Sequence, residues 1–254
     1  MKKTIVLFLI SFIAVKSFSQ TKTIHVFVAL CDNKNQDIVP VPKKLGNGQD
    51  PKNNLYWGAL YGVKSFFKYK AKDWKMISTL KTNSSDILER VLFKHKTRDV
   101  YLLADAYNGK KIKTCTEDFL KASNHQNEEN IITDSIKLKF GGASNLIAYV
   151  GHDGLMEFDV NIDYQKCKEK KKDVIILACF SKHYFSKEIK QANANPLLWT
   201  TNLMAPEAYT LDASITTWLN QSSSLQIKES AAKAYHKYQK CGMRGARSLF
   251  SSGF

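Results

Sequence analysis

Two residues that can do acyl-transfer chemistry each follow a short apolar run. His152 comes after Leu146–Val150, separated from it only by Gly151, and Cys179 comes directly after Val174–Ala178. Continuous apolar runs of this length, bounded by polar residues, are typical of strands buried on both faces of a parallel sheet. Functional residues of such sheets gather at the carboxyl ends of the strands. The pattern therefore predicts that His152 and Cys179 emerge at one edge of a sheet.

A thiol and an imidazole at one sheet edge are sufficient for attack on a carbonyl group. The Cys179 thiolate would attack the carbonyl carbon, and His152 would protonate the leaving amine. Gly154 removes side-chain bulk beside His152. Backbone N–H groups at Asp153, Gly154 and Cys179 are therefore predicted to bind the oxyanion of the tetrahedral intermediate.

The segments around these two residues resemble the caspase-like cysteine peptidases, which include caspases, legumains, gingipains and separases. The shared signature is an apolar strand ending in His-Gly, followed by a second apolar strand ending in Ala-Cys. Its counterparts here are LIAYVGHDG, Leu146–Gly154, and VIILACFS, Val174–Ser181. The resemblance implies an endopeptidase that cleaves a protein or peptide substrate with a dyad of His152 and Cys179, without a cofactor or metal. Asp153 departs from the signature because it separates the His from the Gly.

Strand patterns alternate with helix patterns along the chain. This alternation predicts an α/β fold with a mostly parallel central sheet and helices on both faces, in a single domain over residues 20–254. The resemblance narrows this expectation to a caspase-like three-layer sandwich. The predicted strands are Thr23–Leu30, Trp74–Leu80, Val100–Ala106, Leu146–Val150, Val174–Ala178 and Leu197–Asn202. The predicted helices are Leu55–Lys68, Asp86–His95, a short helix opened by a capping box at Thr114–Glu117, Asp212–Asn220 and Lys228–Lys240. A loop over Cys31–Asn53 is long for one domain and is expected to cover something.

The first residues have the pattern of an export signal. Two lysines follow Met1, an apolar run covers Thr4–Val15, and Ser17 and Ser19 flank Phe18. This pattern predicts a signal peptide over residues 1–19 with cleavage near Gln20, and hence a periplasmic or secreted protein. The apolar run is shorter than the roughly 20 residues that span a bilayer, and no transmembrane segment is expected.

The charge balance is basic. The chain of 254 residues has a net charge of +15, and removal of the predicted signal leaves 35 Lys and Arg against 23 Asp and Glu, a net charge of +12. Five lysines lie within residues 166–172. The other lysines are scattered without interleaved aromatic residues, so we interpret the charge as a solvated basic face and expect no nucleic-acid partner.

The number of cysteines is odd, which leaves at least one thiol outside any intramolecular disulfide. Cys31 also ends a predicted strand, and is either a second thiol at the active edge or a disulfide partner. Asp32, Asp105 and Asp153 stand near strand ends. Each would orient His152, hold a basic substrate side chain, or be a solvated loop carboxylate.

Two other functions fit the same residues. Cys179 and His183 have a spacing compatible with zinc ligation, and His152 would complete a set of three ligands for a zinc-dependent hydrolase. A catalytically inactive caspase-like module that binds a peptide or an envelope partner would also use the long loop and the positive charge.

Overall fold

Short apolar, β-branched runs form the strands, and longer amphipathic segments form the helices. The computed structural model describes residues 21–133 and 136–254. The predicted signal peptide, residues 1–19, and its cleavage site at Gln20 lie outside the described residues. The strands are β1 Lys22–Ala29, β2 Trp74–Leu80, β3 Ile87–His95, β4 Val100–Tyr107, β5 Glu129–Thr133, β6 Ile136–Phe140, β7 Leu146–Val150, β8 Asp173–Leu177, β9 Asn195–Thr200 and β10 Phe250–Ser251. The helices are α1 Val63–Tyr69, α2 Ile112–Ser123, α3 Ser181–Gln191, α4 Ala208–Leu219, α5 Ser224–Gln239 and α6 Met243–Leu249.

One large, mostly parallel sheet organises the described residues. Its eight strands have the order β10-β9-β8-β7-β1-β4-β3-β2, and β5 and β6 form a separate hairpin. The pairings β8–β9, β7–β8, β1–β7 and β1–β4 are parallel, whereas β2, β3 and β10 pair antiparallel. The predicted α/β class with a mostly parallel central sheet is confirmed, as is the parallel pairing of the two runs that precede His152 and Cys179.

Alternate residues of the central strand β1 pack with different helices. Ile24, Val26 and Val28 belong to an apolar cluster that includes buried residues of α1, α4 and α5. Phe27 and Ala29 belong to a second cluster that includes buried residues of α2 and α3. Because side chains alternate between the two faces of a strand, burial on both faces explains why β1 is apolar throughout.

The predicted helix over Asp86–His95 is wrong, because this segment is the strand β3. It pairs with β2 on one side and β4 on the other. Val91, Leu92 and Phe93 are all buried in succession. A strand with both faces buried has neither the two-residue alternation nor the 3.6-residue period, so its pattern does not separate strand from helix.

Two helix starts also differ from the prediction. The helix expected over Leu55–Lys68 begins only at Val63, and the chain before it runs through turns. Gly62 allows the close approach of the Trp57 backbone, which a β-carbon would block. The capping box expected at Thr114 is absent, since α2 begins at Ile112 without a side-chain cap. The Thr114 hydroxyl instead donates to Asp86, at 3.1 Å.

None of the helices within residues 21–133 and 136–254 combines the length and the apolar character needed to cross a membrane.

Candidate functional site

The register of β7 and β8 places the two predicted chemical residues at the same level of the sheet. Val150 pairs with Leu177 in parallel. His152 and Cys179 each lie two residues beyond that pair. Leu146, Ala148 and Val150 of β7 share an apolar cluster with Ile175 and Leu177 of β8, so these strand residues lie on one face of the sheet.

Unusual backbone conformations redirect the chain at both strand ends. Gly151 has φ +150°, and a β-carbon there would lie 2.7 Å from the carbonyl oxygen of Ala29 in the adjacent strand β1. Only glycine tolerates this approach. Phe180, directly after Cys179, has φ 48° and precedes the first residue of α3. A bulky residue in the left-handed region is uncommon and marks local strain, here next to the candidate nucleophile.

His152 is buried and is held at both its ring and its backbone. Its Nε2 lies 2.5 Å from Oε1 of Glu157. Its carbonyl accepts a 2.7 Å hydrogen bond from the Tyr149 hydroxyl. The same Glu157 oxygen accepts a hydrogen bond from the Asp37 N–H, at 2.6 Å, so the long loop after β1 reaches the partner of His152. Sequence reasoning missed Glu157, although an acid five residues after the histidine was the available signal.

The Cys179 thiol is half-buried against a backbone segment that follows β9. Its Sγ accepts from the Met204 N–H at 3.4 Å and donates to the Met204 carbonyl at 3.6 Å. Burial raises the pKa of the Cys179 thiol above its usual value, the Met204 N–H opposes this rise, and the charge of Asp153 adds to it. The thiol is therefore the resting form at neutral pH. The start of α3 two residues later favours the thiolate once a base removes the proton.

No hydrogen bond joins His152 to the Cys179 thiol among the contacts of the described residues. Catalytic hydrogen bonds are often long in a free enzyme and tighten only when substrate binds. His152 and Cys179 thus lie at neighbouring strand ends, and each contacts a different residue. His152 contacts Glu157, and Cys179 contacts Met204.

Asp153 is a buried carboxyl with only one of its two oxygens satisfied. Oδ1 accepts from the Leu155 N–H at 3.0 Å and caps the 3₁₀ turn Gly154–Met156. Oδ2 is buried without a hydrogen-bond partner. Burial raises the pKa of Asp153 to about 8, the Leu155 N–H opposes the rise, and the charge of Glu157 adds to it. Asp153 is therefore mostly protonated at neutral pH.

The predicted oxyanion donors have unoccupied N–H groups. Among the described residues, no acceptor is assigned to the amides of Asp153, Gly154 and Cys179. The reason for a glycine at 154 is different from the expected one. A β-carbon there would lie 2.4 Å from the Phe158 ring. The glycine therefore allows Phe158 to pack against the backbone, and it does not serve to clear space beside His152.

Cys31 and Tyr56 are both buried, and their side chains interact with each other. The Cys31 thiol is fully buried, and burial raises its pKa to about 11 although a hydrogen bond with Tyr56 opposes the rise. Burial raises the pKa of the Tyr56 hydroxyl well above its usual value, and negative charge on Cys31 or Cys179 adds to the rise. All five cysteines, each within the described residues, are unpaired.

Asp32 and Asp105 contact other residues and do not orient His152. Asp32 is buried and accepts hydrogen bonds from Asn35 and Gln49, which fold the long loop. Asp105 is fully buried and accepts two hydrogen bonds from the Arg90 guanidinium, both at 2.6 Å. Neither is the solvated carboxylate that sequence reasoning takes as the default.

The ligand set proposed for zinc does not assemble. Within residues 21–133 and 136–254, the potential ligand atoms of His152, Cys179 and His183 are not gathered within 4.8 Å of one another. His183 lies in the first turn of α3 and its N–H donates to the Phe180 carbonyl. A zinc hydrolase built on these three residues is therefore not supported.

Comparison of the chain with protein-family models, with curated proteins and with solved structures found no match.

Proposed function

We propose that this chain is an exported cysteine endopeptidase with the caspase-like three-layer arrangement, in which Cys179 is the nucleophile and His152 the general acid and base. The observation that carries the proposal is the register of β7 and β8, since both residues stand two positions beyond the paired Val150 and Leu177. The strand-end sequences LIAYVGHDG and VIILACFS support the same assignment.

The reaction follows from the chemistry of the two side chains. His152 takes the Cys179 proton, and the thiolate forms a bond to the carbonyl carbon of the scissile peptide. The developing oxyanion accepts hydrogen bonds from the free N–H groups at Cys179, Asp153 and Gly154. The C–N bond then breaks as His152 returns the proton to the leaving amine, and water hydrolyses the thioester.

The two contacts between Cys179 and Met204 change when substrate binds, and the contact between Glu157 and His152 does not. The Cys179 sulfur leaves Met204, and a substrate backbone takes over the freed Met204 N–H and carbonyl. Glu157 keeps its contact with His152 Nε2 and stabilises the imidazolium that forms. In Glu157→Gln the imidazolium loses that negative charge, so turnover falls while the yield of folded protein stays the same.

The experiment is covalent labelling with a library of peptidyl acyloxymethyl ketones, followed by peptide turnover for any labelled sequence. Cys179→Ala abolishes both labelling and turnover, and Cys241→Ala, which removes an exposed thiol, changes neither. His152→Ala lowers turnover on the order of 10²–10⁴-fold. His183→Ala leaves turnover unchanged. Wild-type turnover in Cys179→Ala, or equal losses for His183→Ala and His152→Ala, contradicts the assignment.

A non-catalytic binding module is the second candidate. It is favoured by the occupied state of both groups, His152 on Glu157 and Cys179 on Met204, and by burial that raises the pKa of the thiol. This candidate predicts a folded protein that no member of the ketone library labels.

Export is tested separately, by sequencing the N-terminus of the mature protein, which we expect near Gln20. A protein recovered from the cytoplasm that starts at Met1 contradicts export.

A further inference from the structure

A second cluster of chemically competent side chains lies at the opposite edge of the sheet from His152 and Cys179. His125 follows the end of α2, while Cys167 and Glu169 lie in the connection that leads into β8. The Nδ1 of His125 is 2.9 Å from Oε2 of Glu169. One ligand atom from each of the three residues lies within 4.8 Å of the other two.

One nitrogen of this cluster, His125 Nδ1, has no hydrogen-bond partner. His125 Nδ1 is buried, and its approach to the Glu169 carboxylate lacks hydrogen-bond geometry, so the nitrogen has no hydrogen-bond partner. A buried polar atom without a partner costs free energy unless something else occupies it. The Glu169 N–H donates to the Cys167 sulfur at 3.4 Å, a contact that stabilises a thiolate.

The residues on either side of His125 are hydrogen-bonded to the connection that carries Cys167 and Glu169. Asn124 accepts from the Gln165 N–H at 2.7 Å and donates to the Gln165 carbonyl at 3.1 Å. Gln126 donates to the Asp163 carbonyl at 2.9 Å. His125 itself has φ 62°. The end of α2 and the connection before β8 are thus joined on either side of His125, which preorganises the cluster.

We propose that His125 Nδ1, Cys167 Sγ and a Glu169 carboxylate oxygen bind one zinc ion, with water as the fourth ligand. Imidazole, thiolate and carboxylate are the ligands that zinc takes in proteins. The thiolate and the carboxylate together neutralise the divalent charge, which allows a cation amid the lysines of residues 166–172. Lys172 donates to the Ser144 carbonyl at 2.9 Å.

The ion cross-links two parts of the chain that bear on the candidate site. It fixes the end of α2 to residues 166–172, the final part of the connection that starts beside His152 and leads through β8 to Cys179. Zinc binding therefore raises the stability of this connection. The proposal does not depend on the proposed peptidase activity.

The test uses metal-free, reduced protein over residues 20–254. Zinc affinity is measured by competition with a chromophoric chelator, cobalt is used as a spectroscopic probe, and the melting temperature is recorded with and without zinc. Wild type binds one zinc per chain, gives a cobalt–thiolate charge-transfer band and melts at a higher temperature with zinc. Cys167→Ser loses the band and at least about 100-fold in affinity, since even outer-shell changes cost 10–100-fold.

Two further variants make the test decisive. Glu169→Gln keeps the size of a mostly exposed side chain and removes its negative charge, and it also weakens zinc binding. Cys241→Ser removes an exposed thiol elsewhere and leaves affinity and band unchanged. Wild type that binds zinc no more tightly than Cys167→Ser overturns the proposal, as does a cobalt–thiolate band that disappears in Cys241→Ser but not in Cys167→Ser.

Discussion

Replacing Asp153 by Asn changes how the stability of this protein depends on pH. The carboxyl is fully buried, and its Oδ2 has no hydrogen-bond partner among the described residues. Burial raises the pKa of Asp153 to about 8 from an ordinary value of 3.8. The folded protein therefore holds a proton that the unfolded chain has released throughout this pH window. Asparagine keeps the oxygen that accepts from Leu155 and has no proton to lose.

The sign and the size follow from proton linkage. Where the folded state binds one proton more than the unfolded state, the free energy of unfolding falls by about 1.4 kcal/mol per pH unit. Wild type therefore loses about 3 kcal/mol relative to Asp153→Asn between pH values of about 5 and 7, both within the window. The loss begins near pH 4, the ordinary pKa of the carboxyl, and is complete above the folded value of about 8. Groups that do not interact with Asp153 titrate equally in both proteins and cancel in the difference, and the coupled Cys179 thiol, whose pKa is raised, stays protonated below about pH 8.

The assay is urea unfolding followed by circular dichroism at a series of pH values. The quantity compared is the difference in unfolding free energy between Asp153→Asn and wild type, and it should rise steadily with pH. Asp159→Asn, an exposed carboxylate in the same segment, is the matched control and should give a flat difference. A flat difference for Asp153→Asn as well would refute a buried, protonated carboxyl at this position.

Two further predictions use the same region. The negative charge of Asp153 contributes to the raised pKa of the Cys179 thiol, so Asp153→Asn alkylates faster than wild type above about pH 8 and equally fast at neutral pH; iodoacetamide kinetics with mass mapping measure this, and identical profiles would count against it. Gly154→Ala forces a β-carbon into the Phe158 ring and costs about 1–3 kcal/mol in unfolding free energy. Gly245→Ala is its control, because nothing lies within 4 Å of a β-carbon there; equal effects of the two substitutions would show that Phe158 moves freely.

The sequence was sufficient for the parts of the fold that depend on local apolar pattern. The runs Leu146–Val150 and Val174–Ala178 are buried, continuous and bounded by polar residues, which predicts parallel strands and therefore a shared edge for their ends. That edge position follows from register alone, since a parallel pair fixes which residues leave the sheet together.

The contacts around the candidate site required three-dimensional information. Residues 90–93 in the middle of Ile87–His95 are buried in succession, so no two-residue periodicity identifies the segment as a strand. Met204 reaches Cys179 from a separate segment 25 residues later in the chain, and Asp37 reaches Glu157 across 120 residues. Loop contacts of this kind depend on how elements pack, and the spacing of single residues does not encode them.

The residue that departs from the His-Gly signature has a structural reason of its own. The Asp153 side chain accepts from the Leu155 N–H, and its carbonyl accepts from the Met156 N–H at 3.2 Å. These bonds form the 3₁₀ turn that carries Glu157 back to the ring of His152, 2.5 Å from Nε2. A protonated Asp153 makes both contacts without a negative charge that acts on the Cys179 thiol. An ionised Asp153 opposes formation of the Cys179 thiolate. Asp153 thus affects both the position of His152, through the turn, and the pKa of the Cys179 thiol, through its charge. The asparagine variant separates the two effects because it retains the turn and removes the charge.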